Sequence, residues 1–367
     1  MVGVARIELA TPAMSTQCST TELHARQGRH LGTAGEPRNR LSPERRPFYG
    51  APMSIRFTDA EQVEQLLDYP GCIEAMRRAM IALSSGERPQ PLRQIFKVEN
   101  GVYGTMPGEL AALSTFGAKI VSVFADPERP GCTRHQGVVV AYDGKTGAVS
   151  CIADAEPITK IRTACATAVA TDALARADAE ILAIVGSGVQ GEAHLNALPL
   201  VRDFREILLW GRSRERARAL ADRMSAKLGR PITIVAEPLE AATRADVICT
   251  VTSSPEPVLL AKWVKPGTHI NLVGSSYLGP VEVDFALVAR ARYIADYRPG
   301  VLAQASELAV ARDAGLVDDS HVVAEIGEVL AGRVTGREND EQITIYKSLG
   351  HVVQDLAAAA YLQSKSG

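Results

Sequence analysis

The stretch Ile181-Leu-Ala-Ile-Val-Gly-Ser-Gly-Val-Gln-Gly191 limits the fold more than any other part of the chain. Five apolar residues run straight into glycines at 186, 188 and 191, and a helix-compatible segment follows. An unbroken apolar run of this length reads as a strand buried on both faces. The glycines then let the first amides of the next helix approach an anion closely. Alone, the Gly-x-Gly-x-x-Gly string recurs by chance and could be a plain strand-to-helix turn. Its surroundings favour more: β-type segments at 207–210, 233–235, 247–251 and 269–273 alternate with helical ones near 190–200 and 214–228. Such alternation implies parallel βαβ units, so the expected fold is α/β with a Rossmann-type doubly wound parallel sheet.

The preceding residues follow a different rhythm. Apolar residues at helical spacing fill 59–67 and 72–83, followed by β-type stretches at 118–124, 137–142 and 148–152, the last two joined by the turn Asp143-Gly-Lys-Thr-Gly147. Pro157 stands where a first helical turn tolerates it, and alanine-rich 158–176 contains no glycine, so a helix is expected there. The tail 325–362 also reads as helical. These patterns predict a discontinuous α+β substrate-binding and dimerisation domain of 53–176 with 325–367, wrapped around a dinucleotide-binding domain of 177–324. A length of 367 residues suits two such domains.

Residues 1–52 are Arg-rich, contain no lysine and show no sustained apolar period, so a disordered extension is expected. Glu8, Glu22, Glu36 and Glu44 weigh against a transit peptide, and Met53 is the preferred start. A net charge of -2 offers no field for nucleic acid, and no apolar run suffices to cross a bilayer. Neither partner is expected. The cysteines at 18, 72, 132, 151, 165 and 249 are scattered, and His135, His194, His269, His321 and His351 form no metal-spaced pair. No metal site and a cytoplasmic location are expected.

Cofactor choice turns on the end of the second strand, where an acid would hold the ribose diol of NAD. The chain has Leu209-Trp-Gly-Arg-Ser-Arg214 instead. Arg212, Ser213 and Arg214 can give a 2′-phosphate charge-assisted hydrogen bonds, so NADP(H) is preferred, with NAD(H) the alternative; the arginines could also be a solvated helix start. The candidate cofactor set is Thr163, Gly186, Ser187, Gly188, Val189, Gln190, Arg212, Ser213, Arg214, Thr252 and Val273. Three further cations stand in unusual places. Lys119 interrupts an apolar β-type run, Arg162 lies near the start of the alanine-rich helix, and Arg93 follows the proline-punctuated segment 88–92. Each could be a surface charge, but burying any of them calls for an anion, and together they suit a small carboxylate.

The order of motifs resembles the ornithine cyclodeaminase and mu-crystallin family over essentially everything after Met53. The matching pieces are Pro91-Leu-Arg93, Met106-Pro107, Gly117-Ala-Lys119, Thr159-Lys-Ile-Arg-Thr-Ala164, the glycine loop, Pro266-Gly-Thr-His-Ile-Asn271 with Val273-Gly274, and Lys347-Ser-Leu-Gly350. The resemblance implies that Arg93, Lys119 and Arg162 meet a substrate carboxylate or its surroundings, and that the protein is a homodimer built through the non-Rossmann lobe. Cyclodeaminases carry an aspartate shortly after the Val-Gly; here Ser276 takes that place, as in ketimine reductases of the mu-crystallin type. A serine hydroxyl orients but cannot replace a carboxylate base. The expected reaction is therefore NAD(P)H-dependent reduction of a cyclic ketimine carboxylate, Δ1-pyrroline-2-carboxylate or Δ1-piperideine-2-carboxylate, to L-proline or L-pipecolate. Lys119 and Ser276 are the candidate catalytic residues, and Thr163 could support phosphate or carboxylate contacts. The competing expectations are an ornithine cyclodeaminase, an open-chain amino-acid dehydrogenase and a ligand-binding protein without turnover; Tyr277, beside Ser276, is a further candidate for substrate contact.

Overall fold

The structure, a computed structural model, describes residues 57–86, 88–128 and 133–365. The readings made of 1–52, of Met53 as the start, and of Cys18 and Cys132 lie outside the described residues.

Among the described residues, fourteen strands form two sheets. The first is mixed and holds β1 (Phe57–Thr58), β2 (Gln94–Val98), β3 (Gly101–Leu110), β4 (Thr115–Ala125), β5 (Thr133–Asp143) and β6 (Val149–Asp154), in the order β1-β6-β5-β4-β3-β2. All neighbours are antiparallel except β1 and β6. The expected hairpin joins β5 to β6: the Asp143 carboxylate accepts the Thr146 amide at 2.7 Å, and Gly147, at φ +71°, supplies the left-handed residue. Val139, Ala141, Cys151 and Ala153 are buried. The helices Tyr69–Ser85, Ala155–Leu174 and Val352–Lys365 pack together on this side of the sheet. Strand β3 was not foreseen, because Gly101, Gly104, Pro107 and Gly108 break its β-type pattern while the backbone still pairs throughout, and its edge partner β2 went unnamed with it.

The second sheet is wholly parallel and comprises β7 (Ile181–Val185), β8 (Glu206–Trp210), β9 (Ile232–Ile234), β10 (Val247–Thr250), β11 (His269–Leu272), β12 (Arg292–Ala295), β13 (Val322–Glu325) and β14 (Thr344–Lys347). Its order is β13-β12-β14-β11-β10-β7-β8-β9. Successive strands run outward from β7 to β9, then resume on its other side at β10, which makes the β7–β10 border a topological switch point. Every residue of β10, β11 and β14 is buried, as a sheet covered on both faces requires. The protein is thus α/β, with a Rossmann-like sheet of eight strands and a second, mixed sheet.

The tail departs from its expected helical form. It runs as a short helix Ile326–Leu330, a connection, strand β14, and only then the helix Val352–Lys365. Strand β14 slots between β11 and β12. Periodicity could not separate the two readings, since a four-residue strand buried on both sides is too short to show a period of its own. The insertion brings 348–355 out at the carboxyl edge of the parallel sheet, beside the ends of β11 and β12.

The candidate active site

The glycine loop leaves β7 at the switch point. Its three glycines serve different ends. Gly186 has φ +130°, and a Cβ there would lie 2.9 Å from the Val251 carbonyl; a Cβ on Gly191 would lie 2.2 Å from the Gly186 carbonyl. Both are demanded by close protein packing. Gly188 is exposed and a Cβ on it would meet nothing within 4 Å, so the protein itself does not require glycine there. Bare backbone at the start of the helix Val189–Ala197 suits a pyrophosphate, which fits the expected cofactor. His194 anchors this helix: one ring nitrogen meets the Gln190 carbonyl at 2.7 Å and the other the Thr167 hydroxyl at 3.1 Å. Thr163, buried on the helix Ala155–Leu174 that also carries Thr167, accepts the Thr167 hydroxyl through its carbonyl.

Register draws the rest of the expected cofactor set to one edge. Val185 pairs with Trp210 on one side and Thr250 on the other, and Thr250 pairs with Leu272. Ser187, Val189, Gln190, Arg212, Ser213, Arg214, Thr252 and Val273 therefore all follow the carboxyl ends of adjacent strands. Arg212 and Arg214 are exposed and make no ion pair among the described residues. The Ser213 hydroxyl caps the helix Arg214–Leu228 by accepting the Arg216 amide at 3.3 Å. Thr252 gives both its amide and its hydroxyl to Glu282 Oε1, at 2.7 and 2.8 Å.

The three other cations converge. Lys119 and Arg162 are each 4% exposed, so neither is a surface charge. Lys119 Nζ lies 3.1 Å and Arg162 Nε 3.0 Å from the same oxygen, Oδ1 of Asp355, and Arg162 Nη1 donates to Gln354 at 2.7 Å. Arg93 is half-buried and donates to three carbonyls: Ser276 at 3.0 Å, Leu349 at 2.7 Å and Gly350 at 3.1 Å. Arg93 and Ser276 thus meet through a guanidinium and a backbone carbonyl. Beside them a small pocket is lined by Arg93, Met106, Asp296, Tyr297, Gly350 and His351. Met106 stands directly across from Lys119 in the β3–β4 register, which sets the pocket next to the buried cluster.

Electrostatics here favour an anion. Three cations, Lys119, Arg162 and Arg93, stand against two carboxylates, Asp355 beside the first two and Asp296 near Arg93, which leaves one positive charge in excess in a region of low dielectric. Burial pulls the Lys119 ammonium down to about 8; Arg162 adds to the fall and Asp355 opposes it. Burial likewise lowers His351 to about 4 and leaves its imidazole neutral. Burial raises the Asp296 carboxyl, whose two oxygens accept the amides of Gly350 and Tyr297.

Residue-by-residue reading missed Asp355, His351 and a second buried network. In that network Lys347 Nζ donates to Ser275 Oγ at 2.6 Å and Glu307 at 2.9 Å, while Glu282 takes Thr250, Thr252 and the Gly274 amide. It fixes two loops, the one after β10 that carries Thr252 and the one after β11 that carries Ser276. A signal was present for Asp355: an acid inside the apolar run Val352-Val-Gln-Asp-Leu-Ala-Ala is as anomalous as the lysine inside β4.

The ornithine cyclodeaminase/mu-crystallin family model matches residues 54–366. The chain belongs to this family. Δ1-Pyrroline-2-carboxylate reductase of Bacillus cereus is 34% identical over 299 residues, 80% of this chain and 92% of that one. Among solved structures, the Thermococcus litoralis Δ1-pyrroline-2-carboxylate reductase in complex with NADH and L-proline superposes with a TM-score of 0.80 at 33% identity, covering 84% of this chain and 97% of the other. An archaeal alanine dehydrogenase dimer with bound NAD gives 0.79 at 28% identity, over 85% and 96%. The chain is accordingly an NAD(P)-dependent enzyme of this family by descent. Among the described residues no helix is long and apolar enough to cross a membrane, and no cluster of His, Cys, Asp and Glu could hold a metal ion.

Proposed function

We propose that the protein reduces a cyclic ketimine carboxylate to the corresponding L-imino acid with NADPH. One observation carries the reading: an excess of positive charge, with buried Lys119 and Arg162 and half-buried Arg93 against Asp355 and Asp296, stands next to a loop in which Ser276 replaces the carboxylate that ammonia elimination needs. The cofactor supplies hydride. Lys119 and Arg162 bind the substrate carboxylate and exchange part of their hold on Asp355 for it. Arg93 ties the loop of Ser276 to the Leu349–Gly350 turn, closing the pocket against water, and Ser276 orients the imine. Rate comes from alignment in a fixed cationic field, because a preformed imine needs neither a nucleophile nor a strong base.

NADPH is preferred over NADH because Arg212 and Arg214 flank the end of β8 and no acid stands there to repel a 2′-phosphate. Thr163, Ser187, Val189, Gln190, Thr252 and Val273 complete the cofactor contacts; Ser213 contributes from its capping position. A homodimer through the mixed sheet is favoured by edge strand β2, which exposes Ile95 and Phe96 and pairs on one side only. Buried free thiols at 72, 151, 165 and 249 suit a reducing cytoplasm.

NADPH oxidation assayed with Δ1-pyrroline-2-carboxylate and Δ1-piperideine-2-carboxylate tests the reading, with pyruvate plus ammonium and L-ornithine as comparisons. Fast turnover of a cyclic imine supports it. Ammonia release from ornithine without net cofactor oxidation, or preference for pyruvate plus ammonium, would overturn it in favour of a lyase or an open-chain dehydrogenase.

A further inference from the structure

The Asp355 carboxylate is used on one side only. It is fully buried, and Oδ1 takes both Lys119 at 3.1 Å and Arg162 at 3.0 Å, while Oδ2 has no hydrogen-bond partner. A buried carboxylate oxygen without a donor is costly, and satisfying it only requires an N–H or O–H beside the cations. The ligand expected here brings both complements: a carboxylate for the cations, and a ring nitrogen that carries a proton when the imine is activated. His351 is four residues earlier, immediately before the final helix, and its Nε2 is also buried without a partner. Its Nδ1 accepts the Val353 amide at 3.2 Å, so the neutral ring carries its proton on Nε2 and cannot serve as an acceptor for that nitrogen. Asp355 Oδ2 is the free acceptor of the cluster.

Resting on the cyclic-imine reading, we propose that Asp355 is a catalytic residue whose Oδ2 accepts the hydrogen bond of the substrate iminium N–H, while Oδ1 holds Lys119 and Arg162. The carboxylate missing at 276 is thereby supplied from the final helix. In the step it assists, the hydride electron pair forms the new C–H bond at the imine carbon, and the C=N π pair becomes the nitrogen lone pair. Iminium and NADPH become neutral secondary amine and NADP+. The carboxylate keeps the imine protonated and therefore electrophilic, without itself taking a proton.

Two flat ligands separate this role from a purely positioning one. Pyrrole-2-carboxylate and furan-2-carboxylate share the carboxylate and differ in presenting a ring N–H or a ring oxygen. Titrated into the NADPH complex of the wild-type protein, pyrrole-2-carboxylate is expected to bind at least about tenfold more tightly, the scale of a hydrogen bond to a charged group. In Asp355→Asn the amide oxygen stays on Lys119 and Arg162 and the NH2 group takes the Oδ2 position, so the preference disappears or reverses. Equal binding of both ligands by the wild type overturns the proposal without recourse to a variant. So does a variant that weakens both ligands by one common factor, which marks Asp355 as positioning only. Brisk imine turnover with either result removes the Asp355 role alone. Failure of the wild type to bind either carboxylate, or to reduce any imine, removes the underlying reading and the proposal with it.

Discussion

A Cβ on Gly350 would lie 2.7 Å from Arg162 Nη1, and Gly350 itself sits at φ +80°. Any side chain here incurs backbone strain and displaces the guanidinium that grips Asp355 and Gln354. Gly350→Ala is therefore expected to cost about 1–3 kcal/mol of stability. It should also raise KM for the imine by about tenfold or more, because positions on this scale are felt as ångström shifts of a binding group. Chemical unfolding and steady-state kinetics on the same preparation check both; an unchanged KM would show that Arg162 does not meet substrate.

Lys119 is set to lose its charge at moderately alkaline pH. Its ammonium, lowered to about 8 chiefly by burial, is charged below that pH and neutral above it. Affinity for furan-2-carboxylate, which has no ring nitrogen to titrate, should stay level below pH 7 and fall by up to tenfold per unit above about 8. In Lys119→Arg the decline should vanish up to about pH 10, since a guanidinium stays charged there. An inhibition constant flat from pH 6 to 10 in the wild type would exclude Lys119 as the anion's partner.

Replacing Arg212 and Arg214 together with alanine should lower kcat/KM for NADPH by about 10–100-fold, equivalent to one charge-assisted hydrogen bond, and change NADH by less than about threefold. Equal losses with both cofactors would assign these side chains to the helix start, not to a 2′-phosphate.

Three buried histidines make the fold acid-sensitive. His194 and His351 are held down to about 4 and His269 to about 3, in each case mainly by burial. Their pKa values in the unfolded chain lie near 6.5, so between about 6.5 and 4 the unfolded state binds more protons. Stability is full above this window and is lost as pH falls through it. Urea unfolding at pH 7, 6 and 5 should show a steady decline, and His269→Asn should reduce its slope by about one proton. Stability independent of pH over this range would contradict the buried, neutral state of these rings.

The cofactor half was legible residue by residue because its signals are local. An apolar run, glycines at fixed offsets and a basic turn after the next strand all lie within about 35 residues. The parallel sheet then sets them side by side through short-range register. The substrate half was legible only in part. Lys119 and Arg162 announced themselves as charges in apolar surroundings, but nothing in their spacing says that both would close on one oxygen of a residue some 190 to 240 positions later.

By itself the sequence determined the alternation of strands and helices, the glycine loop and the basic β8 end, which are consequences of local periodicity and side-chain chemistry, while the loss of an acid at Ser276 showed only through the resemblance to the family. Tertiary structure alone decided that β14 inserts between β11 and β12, since a short strand buried on both faces has no period of its own. That insertion delivers Gly350, His351 and Asp355 to the carboxyl edge of the sheet and turns three scattered cations into one site. The reason is physical: a charge can be buried in the core only where its partner arrives, and the partner's arrival is a property of the chain's path through space.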